Sequence, residues 1–179
     1  MSTPMSLSSR SWRNGADEKP EAVIPLLLVY SPASEKVIRA HRAVTTKYIL
    51  LGLRSPWGSG LATGLVGEWQ LEEYLPQVAF FYCADRNARS SAPNARRAVR
   101  SFGDKGVPHL ENILYSWCPL AQFDAIGDLQ MIGTPLALEA LRRFEQTLKA
   151  NPSQSPRSSE LLQGDLSCGQ AIKDLEAKQ

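Results

Sequence analysis

The chain has 179 residues, 43% of them hydrophobic, with 20 basic and 18 acidic side chains and a formal net charge of +2. That length suits one domain with tails and a core of useful size, and the near balance of charge creates no demand for nucleic acid or an anionic membrane as partner. Three cysteines without a Cys-x-x-Cys pair, beside only two histidines, argue against a disulfide framework or a structural zinc site and for a reducing compartment.

Residues 1–22 are rich in serine and polar side chains, contain no signal-peptide apolar region, and read as a disordered tail. Arg10 and Arg13 among serines hint at a transit segment, which Asp17 and Glu18 weaken, so the expected location is cytoplasmic with organellar import left open. No apolar run approaches the roughly 18 residues that span a bilayer. The folded region is expected from 23 to 150, with a linker and weakly ordered tail from 151 to 179.

Ile24-Pro25-Leu26-Leu27-Leu28-Val29-Tyr30 is a continuous apolar run stopped by Ser31-Pro32, which suits a strand buried on both faces in a parallel sheet, with Pro25 near its entry. Ser34-Glu35 starts a short helix carrying Val37 and Ile38, and His41 at its end reads as a solvated residue of the last turn. Tyr48-Ile49-Leu50-Leu51 fits either a strand or a helical turn. From Arg54 to Gly67 the abundance of Gly, Ser and Pro predicts a long loop with Trp57 tucked down as a plug. Glu68 to Leu75 follows as a short helix whose acids, Glu68, Glu72 and Glu73, form a solvated face.

Val78-Ala79-Phe80-Phe81-Tyr82 is short and aromatic-rich, bounded by Pro76, and is expected to be a buried strand ending at Cys83. A polar loop closes at Arg89, and Ser90, Ser91 and Pro93 open a helix. On that helix Ala95, Ala98, Val99 and Phe102 share one packed face, while Arg96, Arg97 and Arg100 are assigned to solvent. Gly103 and Gly106 stop it. Leu110 to Trp117 mixes an approach strand with the start of a turn, Cys118 is expected to be inert, and Ala121 to Gly133 is weakly patterned. Thr134-Pro135 is a helix start with an apolar stripe of Leu138, Leu141, Phe144 and Leu148. Glu160 to Gln179 is expected to be a marginal helix broken by Gly164 and Gly169, with Cys168 exposed.

The chemistry centres on Cys83. Unpaired backbone N–H groups at a helix start bind anions and acidify a thiol, and Arg86 and Arg89 would strengthen the same field. Cys83 is therefore the candidate nucleophile and Arg89 the charge clamp, with Ala84, Asp85, Arg86, Asn87, Ala88 and Ser90 as the anion-binding surround. The competing interpretation is a strand-end cysteine beside a basic surface helix. No binding pattern for a metal or organic cofactor is visible.

Three stretches together resemble the rhodanese-like family: Leu26 to Pro32 with Ala40-His41-Arg42-Ala43-Val44, then Cys83 to Ser90, then Leu110-Glu111-Asn112-Ile113-Leu114-Tyr115-Ser116-Trp117. The resemblance implies an α/β fold, a parallel sheet of about five strands flanked by helices, with the thiol at the carboxyl end of a strand. It also implies a sulfurtransferase that carries sulfane sulfur as a Cys83 persulfide to a thiophilic acceptor. The Cys-x5-Arg spacing is similar to that of the phosphatases and arsenate reductases of the same fold, the second reading; a catalytically degenerate binding module is the third. The implied partners are a small anionic sulfur or phosphorus substrate and an acceptor protein, with no nucleic acid and no membrane.

Overall fold

A computed structural model describes residues 22–28, 32–82, 91–150 and 168–178. All regular structure among them is helical, so the expected α/β fold with its parallel sheet is replaced by a helical one. The helices are α1 (Val23–Leu28), α2 (Pro32–Ala40), α3 (Arg42–Arg54), α4 (Ser59–Trp69), α5 (Leu75–Phe80), α6 (Ser91–Ser101), α7 (Val107–Leu114), α8 (Pro119–Ile132), α9 (Pro135–Ala150) and α10 (Cys168–Glu176). Short 3-10 turns occupy Glu72–Tyr74 and Gly103–Gly106.

Proline explains why two of the three expected strands are helices. Pro76 and Pro108 sit in the first turns of α5 and α7, as Pro32, Pro119 and Pro135 do in α2, α8 and α9. At that position the missing N–H has no intrahelical partner to lose and the fixed φ favours the helix. Each proline that bounded an apolar run therefore starts a helix. The run at Leu26 follows the same logic: periodicity cannot separate a short buried strand from a buried helix, and leucine favours the helix.

Two compact units divide the chain, residues 1–62 and 63–179, the division falling inside α4. In the first, α1 packs against α2 and α3, and α2 against α3. Leu27, Ile38 and Ile49 are fully buried. Ser55 Oγ donates to Leu28 O at 2.9 Å and accepts from Gly58 N at 3.1 Å, tying the end of α3 to the end of α1. A Cβ on Gly58 would fall 1.8 Å from Leu27 O, so no larger residue fits there. Trp57 is not a plug; it is exposed.

The second unit is built round α8, which α6, α7, α9 and α10 all touch. From Ala121 to Gln130 none of its residues is exposed. Apolar neighbours cover most of it, but Asp124 and Asp128 turn toward arginines of α6, so the sequence there shows no simple amphipathic stripe. Gly133 closes it in a left-handed conformation, φ +72°, with its N–H on Leu129 O. Thr134 then caps α9 as expected, its hydroxyl accepting Ala137 N at 3.3 Å. Leu138, Leu141 and Phe144 form the buried stripe.

The supposed loop before Gly67 is largely helix α4, in which Leu65, Val66 and Trp69 are buried. Its glycines serve a close approach. A Cβ on Gly67 would lie 2.6 Å from Ala98 Cα on α6, and Ser101 Oγ reaches Gly67 O at 3.2 Å. The expected helix over Glu68–Leu75 is broken at Gln70, φ +56°, before the 3-10 turn, and Glu72 pairs with Lys105. Nor is the C-terminal stretch only a weak tail: α10 buries Cys168, Ala171, Ile172 and Leu175 and packs on α8 and α9. No described helix is long and apolar enough to cross a membrane.

Candidate functional site

Cys83, Ala84, Asp85, Arg86, Asn87, Ala88, Arg89 and Ser90 lie outside the described residues. What leads toward Cys83 is α5 and a turn, with Phe81 N on Val78 O at 3.0 Å and Tyr82 N on Ala79 O at 3.1 Å. The strand that was to carry the anion cup is therefore absent. The α/β architecture that the rhodanese-like resemblance implies, with a thiol at the carboxyl end of a strand, is thus contradicted among the described residues.

The residues flanking that stretch converge elsewhere. Tyr82 OH donates to Asp128 Oδ2 at 2.9 Å. From α6, Arg96 donates Nε to Asp128 Oδ2 at 2.9 Å and Nη2 to Oδ1 at 3.0 Å, while its Nη1 reaches Asp124 Oδ1 at 2.8 Å. Arg100 Nη1 also donates to Asp128 Oδ1. Asp128 is 0% exposed at the centre of this cluster. The two arginines assigned to solvent are thus turned inward; Arg97 alone of the three is exposed.

Charge and hydrogen bonding close within the group. Two guanidiniums face two carboxylates, and the four lone-pair sites of Asp128 receive four donors. Burial, then the adjacent Asp128 charge and hydrogen bond, push the Tyr82 phenol well above its ordinary range. The hydrogen bond to Asp128 raises Arg96 against the opposing effect of burial. A carboxylate so occupied has no acceptor left for a substrate proton. It is a brace joining α6, α8 and the turn after α5, not a base. Sequence reasoning missed it, although the i,i+4 spacing of Arg96 with Arg100 and of Asp124 with Asp128 is a legible signal for paired helices.

A second locus lies on the corner between α7 and α8. Trp117 there is 88% exposed and Tyr115 about half exposed. The backbone beneath them is held firmly: Ser116 N bonds Ile113 O at 3.0 Å, Gln122 Nε2 donates to Ser116 O at 2.6 Å, and Cys118 N reaches Ser116 Oγ at 3.4 Å. Tyr115 sets its ring edge-on to buried Phe144, centroids 5.5 Å apart. Beside it Arg143 forms a two-point pair with Glu111, Nε to Oε1 at 2.7 Å and Nη2 to Oε2 at 2.9 Å, and its Nη1 meets Glu139 at 2.6 Å. These bonds raise the Arg143 guanidinium above its usual range, the Glu111 hydrogen bond foremost.

Elsewhere, partial burial lowers His109. Burial pushes the Cys168 thiol up to about 12, with the Glu145 charge adding to it. Among the described residues no group of three or more His, Cys, Asp or Glu is placed to hold a metal ion. No family model, curated protein or solved structure matches the chain.

Proposed function

We propose that the second unit is a helical recognition module that docks a protein partner through Tyr115, Trp117 and Arg143. The observation that carries this reading is the indole of Trp117, 88% exposed, on a corner whose backbone is pinned by Gln122 and Ser116. Burying an indole contributes strongly to association, and a corner already ordered loses little conformational freedom on binding. Trp, Tyr and Arg are the residue types that dominate binding energy at protein interfaces. Arg143 is set by Glu111 and Glu139 before any partner arrives. The complementary surface is an apolar cleft able to take a tryptophan side chain.

Site-specific photocrosslinking in cells tests this. Benzoylphenylalanine in place of Trp117 is expected to give one discrete adduct, lost when Tyr115→Ala is added. In place of Met131, an exposed residue at the far end of α8, about 20 Å away by helix rise, it is expected to give none. Matching adduct patterns at 117 and 131, or no adduct at 117, would overturn the proposal.

A further inference from the structure

Helix α10 behaves structurally like a bound peptide. Its nine residues carry Gly169 at the second position, and a helix this short does not persist in water without packing. Cys168, Ala171, Ile172 and Leu175, at i, i+3, i+4 and i+7, form one buried face set against α8 and α9. Cys168 Sγ donates to Leu141 O at 3.4 Å. At the other end Gln130 Nε2 donates to Asp174 Oδ2 at 2.7 Å, and Arg142 Nη2 to Glu176 Oε1 at 2.6 Å. The groove thus asks for an amphipathic helix with acids in its last turns.

We infer that this groove between α8 and α9 is a helix-exchange site, whose occupant in trans is the α10 of a second copy of the chain. The 17 residues from Asn151 to Ser167 connect α9 to α10 and reach up to about 60 Å when extended, several times the length of α10 itself. Within them, 151–159 has the Ser, Pro, Gln and Asn content of a linker. Every contact that α10 makes in its own chain is available in identical form in another, so closed monomer and exchanged dimer differ mainly in the effective concentration of the tethered helix. For linkers of this kind that concentration is about millimolar, so concentrated protein shifts toward exchange. A vacated groove would expose apolar surface round Leu141, which favours refilling. The groove shares α9 with the Trp117 corner, Arg142 facing Glu176 of α10 and Arg143 facing Glu111 of α7.

The test mixes two full-length variants, Gln130→Cys and Asp174→Cys, under mild oxidation. Expected is a disulfide-linked dimer carrying a 130–174 link, formed in the mixture, absent from either variant alone, and more abundant as concentration rises toward 1 mM. The double variant is expected to give the same link within one chain. A link in the double variant without any in the mixture overturns the exchange, and where neither links, the sedimentation arm decides. Sedimentation of the unsubstituted chain adds a second arm: a dimer fraction rising with concentration is expected, and a monomer throughout overturns the proposal.

Discussion

Arg96 lies edge-on across both oxygens of Asp128, its Nε 2.9 Å from Oδ2 and its Nη2 3.0 Å from Oδ1. This two-point contact fixes α6 against α8 at the place where Tyr82 completes the cluster. A buried pair of this kind gives little net stability by its presence, but removing one partner leaves the other charge without compensation.

Asp128→Ala should therefore cost about 3–5 kcal/mol in urea unfolding. Tyr82→Phe, which removes one neutral donor, should cost about 1–2 kcal/mol, and Asp124→Ala, at the partly exposed rim, under about 1 kcal/mol. Any other ranking of the three contradicts the assignment of Asp128 as the centre of the brace.

Alkaline pH should destabilise the chain through Cys168 and Tyr82. Above pH 9 an unfolded thiol loses its proton while the folded Cys168 keeps its own up to about 12. The unfolded state then binds fewer protons and stability falls as pH rises, by about 1.4 kcal/mol per pH unit at the steepest. Tyr82 adds the same sign from about pH 10 upward. Melting temperature measured from pH 8 to 11.5 should decline less steeply in Cys168→Ala than in the parent between pH 9 and 10, and less steeply in Tyr82→Phe above 10.

Two glycines on α4 should respond oppositely to alanine. At Gly64 a Cβ meets none of the described residues within 4 Å, so Gly64→Ala should stabilise by about 0.5–1 kcal/mol through backbone entropy. At Gly67 it meets Ala98 Cα at 2.6 Å, so Gly67→Ala should destabilise by about 1–3 kcal/mol. Thermal unfolding of both variants checks the contrast.

Among the described residues, Thr63 Oγ1 is buried without a hydrogen-bond partner. An unsatisfied buried hydroxyl costs about 1–3 kcal/mol, so Thr63→Val, similar in shape, should raise stability by part of that amount. A loss of stability would mean that the hydroxyl has a role the packing does not reveal.

Local signals in the sequence were legible where one helical face meets a core. The stripe of Ala95, Ala98, Val99 and Phe102 is buried as its spacing indicates, and Thr134-Pro135 opens α9. The errors have physical causes. Apolar runs beside Pro76 and Pro108 look like strands because a short buried helix and a short buried strand share one pattern, and only the tertiary setting separates them. Helix α8 is enclosed throughout its middle, and its Asp124 and Asp128 turn toward α6 instead of marking a solvent face. Asp128 inherited that obscurity, and with it the inward turn of Arg96 and Arg100, since it lies 32 and 28 positions from them and only the i,i+4 spacings hinted at the pairing. The exposure of Trp117 was equally hidden, because nothing in the run from Leu110 to Trp117 separates an exposed indole from a packed one.

The central claim, recognition through the Trp117 corner, is tested most directly by the affinity of the photocrosslinked partner for purified parent chain and for Trp117→Ala, with both melting temperatures recorded. An unchanged melting temperature with affinity weakened about 30-fold or more, the loss of about 2 kcal/mol expected of an anchoring indole, is the predicted result. Affinities within about twofold of each other would contradict it.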